Sequence, residues 1–178
     1  MTLVNASYSR DNNRVPIDPG GIVTSTTKNL TGSNETAIVP IFRITGSVEF
    51  KALYGIVTTT LGSNNTAAYW RINDQTAQVA MTAATGTTIS AAPAGSMILK
   101  NALNAVALVL KSSAAGALSE TSSANTNFFQ RGAITQKTGS VNTDVEFVYT
   151  TTDTPTSGAI QFFFRWLPLS SDGNVTAL

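Results

Sequence analysis

The chain contains neither cysteine nor histidine among its 178 residues. Without cysteine it has no disulfide framework and no thiolate nucleophile, and without histidine it lacks the most common general base and metal ligand of proteins. Most familiar hydrolase and metalloenzyme mechanisms are thereby excluded. We expect no catalytic residues, no metal site and no cofactor, and we predict that the protein is not an enzyme.

Charged residues are also scarce, at 12% of the sequence compared with about 25% in ordinary soluble proteins. Eleven basic and ten acidic residues leave a formal net charge of +1, which is far from the concentrated positive charge that nucleic-acid binding requires. The hydrophobic fraction of 42% argues against a disordered chain. The composition therefore predicts a folded protein with no nucleic-acid partner.

Long apolar runs are missing as well. The longest nearly apolar stretch, residues 102–110, is far shorter than the roughly 20 residues that a membrane-spanning helix needs. The first ten residues are polar and lack the apolar centre of a secretory signal. We therefore predict no membrane contact and synthesis in a cytoplasm.

The pattern of residues divides the chain into an N-terminal arm, residues 1–21, and a single domain, residues 22–178. The arm is polar and contains Pro16, Pro19 and a Gly-Gly pair, which disfavour a helix and interrupt strands. After it, short β-rich runs alternate with turn residues, and no convincing amphipathic helix occurs. This spacing predicts an all-β fold, namely a jelly-roll-like antiparallel β-sandwich with an extended arm. The predicted strands are residues 22–28, 36–45, 47–60, 66–73, 77–82, 96–100, 102–110, 128–135, 144–150 and 160–166. Residues 102–110 also fit a helix, because Leu103, Val106, Ala107 and Leu110 would line one of its faces, and strand is the preferred interpretation.

Two of these strands carry specific expectations. In residues 36–45, Pro40 has no N–H to donate to the hydrogen bonds between central strands. Its presence therefore predicts an edge strand or a bulge. In residues 47–60, apolar side chains recur with a period of two, which predicts a strand with one apolar face and one face toward water. The predicted apolar face consists of Val48, Phe50, Ala52, Tyr54 and Ile56.

The run Phe162-Phe163-Phe164 cannot place all three rings in one core. Successive side chains of a strand point to opposite faces, so Phe163 and Leu167 lie opposite Phe162 and Phe164. Phe163 and Leu167 then need a cover, which a second layer, the arm or a neighbouring subunit can supply. Because a protein with little surface charge is suited to being a subunit, we predict that these two residues bind a partner.

Asp144 and Glu146 are two carboxylates on the same face of one predicted strand, roughly 7 Å apart. Glycosidases use carboxylates at such separations, and calcium sites also contain them. The polar outer face that an alternating strand requires explains the pair more simply, as ordinary solvated carboxylates. We therefore predict neither catalysis nor metal binding at this pair.

Four aromatic residues allow two interpretations. An exposed platform of such rings binds a sugar or a base, whereas a sandwich core buries rings of the same size. Core packing is the preferred interpretation, because aromatic side chains dominate core burial. The four residues are Tyr54, Tyr69, Trp70 and Trp166.

Two regions resemble structural proteins of tailed bacteriophages. Residues 9–17, Ser-Arg-Asp-Asn-Asn-Arg-Val-Pro-Ile, resemble the Arg-Asp-X-Asn-Arg-Val-Pro opening of small tailed-phage virion proteins. Residues 30–33 leading into 41–48 resemble the Leu/Phe-Phe-X-Val-Thr-Gly-X-Val pattern of β-sandwich phage proteins, including capsid decoration proteins. Ile44 replaces a valine of that pattern, and residues 54–59 also fit it. The resemblance covers roughly the first third of the chain.

The resemblance implies a non-enzymatic virion protein that decorates or cements a capsid. Its partners are then the major capsid protein and further copies of itself, often as a trimer, on the capsid surface after synthesis in the host cytoplasm. Arg10 and Arg14 are expected to pair with carboxylates and carbonyls of the shell. The alternative is a receptor- or glycan-binding module of a phage tail or fibre, which uses Tyr69, Trp70 or residues 112–127. The predicted partner-binding residues are Arg10, Asp11, Asn12, Asn13, Arg14, Phe163 and Leu167.

Overall fold

The computed structural model describes residues 21–33, 35–83, 87–100, 107–112, 132–137, 142–152 and 157–178. These ranges contain eleven β-strands and no helix, which confirms the predicted all-β class. The predicted arm lies outside the described residues except for Gly21. The strands are β1 Ile22–Asn29, β2 Thr36–Thr45, β3 Ser47–Thr59, β4 Asn65–Asn73, β5 Gln78–Ala80, β6 Met97–Leu99, β7 Val109–Lys111, β8 Gly132–Thr135, β9 Thr143–Thr151, β10 Ala159–Pro168 and β11 Asn174–Ala177.

The strands form two antiparallel sheets. The first sheet has six strands: five follow the order β1-β10-β3-β6-β7, and β8 pairs with the N-terminal part of β3. The second sheet has five strands in the order β11-β2-β9-β4-β5. Neighbours such as β1 and β10 come from opposite ends of the domain, so most of the pairing is between distant segments of the chain.

The hydrophobic core lies between the sheets and is rich in aromatic rings. Phe42 of the second sheet packs on Phe164 of the first, with ring centroids 5.5 Å apart, and Phe147 packs on Phe162 at 5.0 Å. Burial of one such side chain stabilises the fold by about 1.5–3 kcal/mol. The largest fully buried side chains are Trp70, Tyr149, Phe42, Phe147, Phe162, Phe164, Leu30, Ile41, Ile44, Ile89, Ile98 and Leu108.

Hydroxyl groups of β1 in the first sheet form hydrogen bonds with the C-terminal end of the chain, at the edge of the second sheet. Thr24 Oγ1 donates to the Val175 carbonyl at 3.2 Å, and Thr26 Oγ1 donates to the Leu178 carbonyl at 3.1 Å. The Trp166 indole Nε1 donates to Thr24 Oγ1 at 3.0 Å. The strand β11, which receives the first of these bonds, was not predicted because it has only four residues.

A β-bulge in β3 reverses the predicted alternation of that strand. The register between β3 and β10 shifts between Arg165 and Trp166, so that Lys51 is an extra residue. The prediction of a single apolar face from Val48 to Ile56 is therefore wrong, because one added residue moves every later side chain to the other face. Val48 and Phe50 precede the bulge and belong to the core, whereas Ala52, Tyr54 and Ile56 follow it and lie on the outer face.

Pro40 lies at a second bulge, which is one of the two positions predicted for it. The register between β2 and β9 shifts between Pro40 and Phe42, so that Ile41 is the extra residue. Proline has no N–H to donate, and a bulge is one of the places in a sheet that tolerates this. The alternation within β2 changes at this point, which lets both Ile41 and Phe42 be buried.

Candidate protein-binding face

The outer face of the first sheet carries two stacked aromatic rings. Tyr54 of β3 and Phe163 of β10 pair across the strands, with ring centroids 4.9 Å apart and ring planes that differ by 12°. Phe163 points outward because Phe162 and Phe164 fill the inner face, as predicted. Tyr54 lies beside it because the bulge at Lys51 turns the later part of β3 outward.

Further apolar side chains lie on the same outer face as the stacked pair. Val23 on β1 is 52% exposed, and Leu167 is half-buried further along β10. Adjacent apolar side chains on one outer face are typical of a surface that contacts another protein. We call this surface the aromatic face; its residues are Val23, Ala52, Tyr54, Ile56, Phe163, Arg165 and Leu167.

Arg165 gives the aromatic face a positive charge. It pairs with Val23 on one side and with Ala52 on the other. Its Nε atom is buried and makes no hydrogen bond, and its side chain forms no ion pair within the described ranges. Buried polar atoms without a partner are uncommon in folded proteins. Arg165 is therefore a donor whose acceptor the described part of the chain does not supply.

The chemistry of the aromatic face is suited to binding. Tyr54 and Phe163 offer apolar area whose removal from water is favourable by about 25 cal/mol per Å². The Arg165 guanidinium is a planar donor that matches carboxylate geometry. Tyrosine and arginine are enriched among the residues that contribute most to protein interfaces.

The outer face of the second sheet has the opposite character, because its charged groups pair with one another. Arg43 donates from Nε and Nη2 to the two carboxylate oxygens of Asp144 at 2.9 and 3.0 Å. Arg71 Nε donates to Glu146 Oε2 at 2.6 Å, and the Asn73 amide donates to Glu146 Oε1 at 2.9 Å. The hydrogen bonds to Asp144 raise the pKa of Arg43 above its ordinary value.

These ion pairs bear directly on the two interpretations of Asp144 and Glu146. Both carboxylates are occupied by arginine, and Glu146 is only 4% exposed. The pair thus has a structural role on the outer side of β9. The expectation that both carboxylates are solvated is wrong for Glu146, because Arg71 and Asn73 cover it.

The four aromatic residues considered as a platform divide between the core and the surface. Trp70 and Trp166 belong to the core, as core packing predicts. Tyr54 and Tyr69 are half-buried on the outer faces of different sheets. Tyr69 and Trp70 point to opposite sides of β4, so they do not form one platform for a sugar.

Several predictions fall on residues outside the described ranges. These are Arg10, Asp11, Asn12, Asn13, Arg14 and residues 113–131, which include most of the loop suggested for a glycan. Where the structure describes the chain, no group of three or more Asp or Glu side chains is arranged to hold a metal ion. The same ranges contain no helix of the length and apolarity needed to cross a membrane.

Sequence reasoning missed two members of the aromatic face. The period of two places Tyr54 on the face that begins with Val48, and the charged Lys51 within the apolar run is the signal that indicates a break in this period. In the sequence, Arg165 is one of the residues that alternate with Phe162, Phe164 and Trp166. Nothing in the sequence shows that its Nε is buried without an acceptor.

Comparisons with known proteins add no relatives. No family model matches the chain, and neither a curated protein nor a solved structure matches it at a significant level. A function for the aromatic face therefore has to be argued from the residues of this chain.

Proposed function

We propose that the chain is a structural virion protein that decorates or cements a phage capsid through non-catalytic protein contacts. The observation that carries this proposal is the aromatic face, where Tyr54 and Phe163 stack on the outer side of the first sheet. The resemblance of residues 9–17 and 41–48 to phage structural proteins supports this kind of assembly. The partners are the major capsid protein and further copies of the chain.

In this proposal the capsid is stabilised by many repeated contacts. A stable interface buries about 800 Å² on each partner, and the symmetry of a shell repeats that interface for every copy. The fold is a jelly-roll-like sandwich whose aromatic face lies against the shell. Residues 1–21 form an arm that spans up to about 70 Å when extended, and it brings Arg10 and Arg14 to neighbouring subunits.

Binding to virus particles tests the proposal. Particles of the virus that encodes the chain are stripped of this protein, mixed with purified variants and sedimented, and the bound protein is measured. Phe163→Asp places a charge in the centre of the aromatic face, and we expect it to weaken binding at least about tenfold. Ile38→Asp is the matched control, because Ile38 is 50% exposed on the outer face of the second sheet.

Ile38→Asp should bind like the wild-type chain. Failure of the wild-type chain to bind particles would contradict the proposed function. Equal binding by Phe163→Asp and Ile38→Asp would contradict the assignment of the aromatic face as the contact surface.

Removal of residues 1–21 tests the arm separately. We expect the shortened chain to keep the circular dichroism spectrum and the melting transition of the full chain, because the two described sheets begin at Ile22. We also expect it to fail to join particles. A shortened chain that binds particles as tightly as the full chain would contradict the role proposed for the arm.

A further inference from the structure

We infer that Arg165 selects the partner of the aromatic face, and that this partner presents a carboxylate to it. The inference rests on the proposed function, since it concerns the surface proposed to contact the shell. Its starting point is the Nε atom of Arg165, which is buried without a hydrogen bond, whereas the other six residues of the aromatic face are uncharged.

The position of Arg165 ties it to any partner that covers the stacked rings. Arg165 and Phe163 are two residues apart on the same side of β10, a separation of roughly 7 Å. The side chain runs close to the start of β1, since a Cβ on Gly21 would lie 3.3 Å from Arg165 Cγ. Since Nε is already buried, a protein surface laid over Phe163 takes the rest of the half-buried Arg165 side chain out of water.

A covered arginine needs an acceptor. Removing the guanidinium from water without an opposite charge opposes binding, because the buried charge loses its hydration and gains nothing in return. A carboxylate supplies two acceptor oxygens in the plane of the guanidinium, so that two parallel hydrogen bonds form. The complementary partner is therefore an apolar surface that contains an Asp or Glu side chain.

A second copy of the aromatic face does not provide this carboxylate. In a two-fold interface the same surface occurs on both sides, so each Arg165 would meet the residues of the aromatic face itself. The nearest acidic residue across the strands is Glu49, which pairs with Leu167 in register and forms an ion pair with Lys51 at 3.3 Å. The aromatic face is thus not complementary to itself in a two-fold interface, and we take a different protein as its partner.

Particle binding by charge variants tests the inference. Arg165→Gln should lower the affinity at least about tenfold at low salt, and the remaining binding should depend less on salt than wild-type binding does. Arg43→Gln is the matched control: it removes the same charge from the outer face of the second sheet, and it should bind like the wild-type chain. Phe163→Ala should weaken binding and keep the salt dependence.

Chemical blocking of the particles tests the partner's side of the contact and uses the intact wild-type chain. Shell carboxylates are converted to amides with a carbodiimide and glycine ethyl ester. Binding of the wild-type chain should then fall by a larger factor than binding of Arg165→Gln, in which only the arm arginines still pair with shell carboxylates. This non-additivity is the signature of a direct contact between the two groups.

The outcomes separate the inference from the proposed function. If Phe163→Asp abolishes binding while Arg165→Gln binds like the wild-type chain, the proposed function stands and the inference is overturned. Wild-type binding that is unchanged by amidation also overturns it. A wild-type dimer in sedimentation velocity that Phe163→Asp converts to monomers would overturn it too, because a second copy would then cover the face. If none of the variants changes particle binding, the inference and the assignment of the face both fail.

Discussion

The outer faces of the two sheets differ in how their charged groups are satisfied. On the second sheet, Arg43 and Arg71 each bind a carboxylate of β9, and these contacts are complete within the chain. On the first sheet, Arg165 has a buried Nε without an acceptor, beside stacked rings that face outward. Polar positions in a strand therefore do not by themselves mark the face that meets water. Arg43 and Arg71 on the second face are thus paired within the chain, whereas Arg165 on the first face has no acceptor among the described residues.

The largest expected difference in stability is between alanine variants of two neighbouring phenylalanines of β10. Phe162→Ala leaves a cavity in the core, and we expect it to lower the free energy of unfolding by about 4 kcal/mol. Phe163→Ala removes a half-buried ring from the aromatic face, and we expect a loss of about 1 kcal/mol. Urea unfolding of the two variants measures the difference. Similar losses would show that the aromatic face is part of the core instead of a binding surface.

A smaller effect should follow from removing one charge on each face. Glu146→Ala leaves Arg71 buried without its carboxylate, and we expect a loss of about 3 kcal/mol in the free energy of unfolding. Arg165→Ala removes a group that has no acceptor to leave behind, so its effect should stay within about 0.5 kcal/mol. The double variant Arg71→Met with Glu146→Leu should lose less than Glu146→Ala alone. A large loss at Arg165 would mean that its charge is already satisfied within the chain.

The next effect concerns a contact between the strand β9 and the segment that follows β1. The Tyr149 hydroxyl donates to the Thr31 carbonyl at 2.6 Å and accepts from the Thr31 N–H at 3.0 Å. We expect Tyr149→Phe to lower the free energy of unfolding by about 1.5 kcal/mol. Thermal unfolding at neutral pH measures it. A melting temperature equal to that of the wild-type chain would show that water replaces the hydroxyl at no cost.

The stabilisation by Tyr149 should also depend on pH in alkaline solution. Burial raises the pKa of Tyr149 above its ordinary value of 10.0. The stabilisation of the neutral phenol is therefore complete below pH 10 and is lost as the pH rises through the folded-state pKa. The melting temperatures of Tyr149→Phe and the wild-type chain should converge in that range, and a constant difference would contradict the assignment.

The smallest effect should appear in acid and only on the second sheet. Backbone N–H groups of Ala77 and Thr76 donate to the Asp74 carboxylate at 2.6 and 2.9 Å, which lowers its pKa from 3.8 to about 2. A lowered pKa means that the contribution to stability is complete above pH 3.8 and is lost as the pH falls toward 2. Asp74→Asn should melt slightly below the wild-type chain at neutral pH, with the difference vanishing near pH 2. Arg165→Gln should show no such step.

The strands of the fold were largely predictable from the sequence, and their pairing was not. Clean alternation identified β9 and β10, whose inward residues such as Phe147 and Phe162 form the centre of the core. The bulge at Lys51 was not predictable, because a period of two contains no information about a residue that the partner strand leaves unpaired. The strand β11 has only four residues, which are too few to show a periodic pattern.

The aromatic face was predictable only in part. Three consecutive phenylalanines cannot share one core, and this placed Phe163 and Leu167 outward. Tyr54 lies on the same face because of the bulge at Lys51, and this bulge is visible only in the pairing of β3 with β10. The ion pair of Arg43 with Asp144 joins residues 101 positions apart, so only the register of β2 with β9 shows that these charges are satisfied. For the same reason, the isolated position of Arg165 could not be inferred before the sheets were known.

A reconstruction of virus particles that contain this chain tests the central claim most directly. We expect density for the chain on the capsid surface, with Tyr54 and Phe163 against a shell protein and a carboxylate of that protein within hydrogen-bonding distance of Arg165. Particles in which the chain is present but its aromatic face is open to solvent, while the second sheet contacts the shell, would contradict the claim.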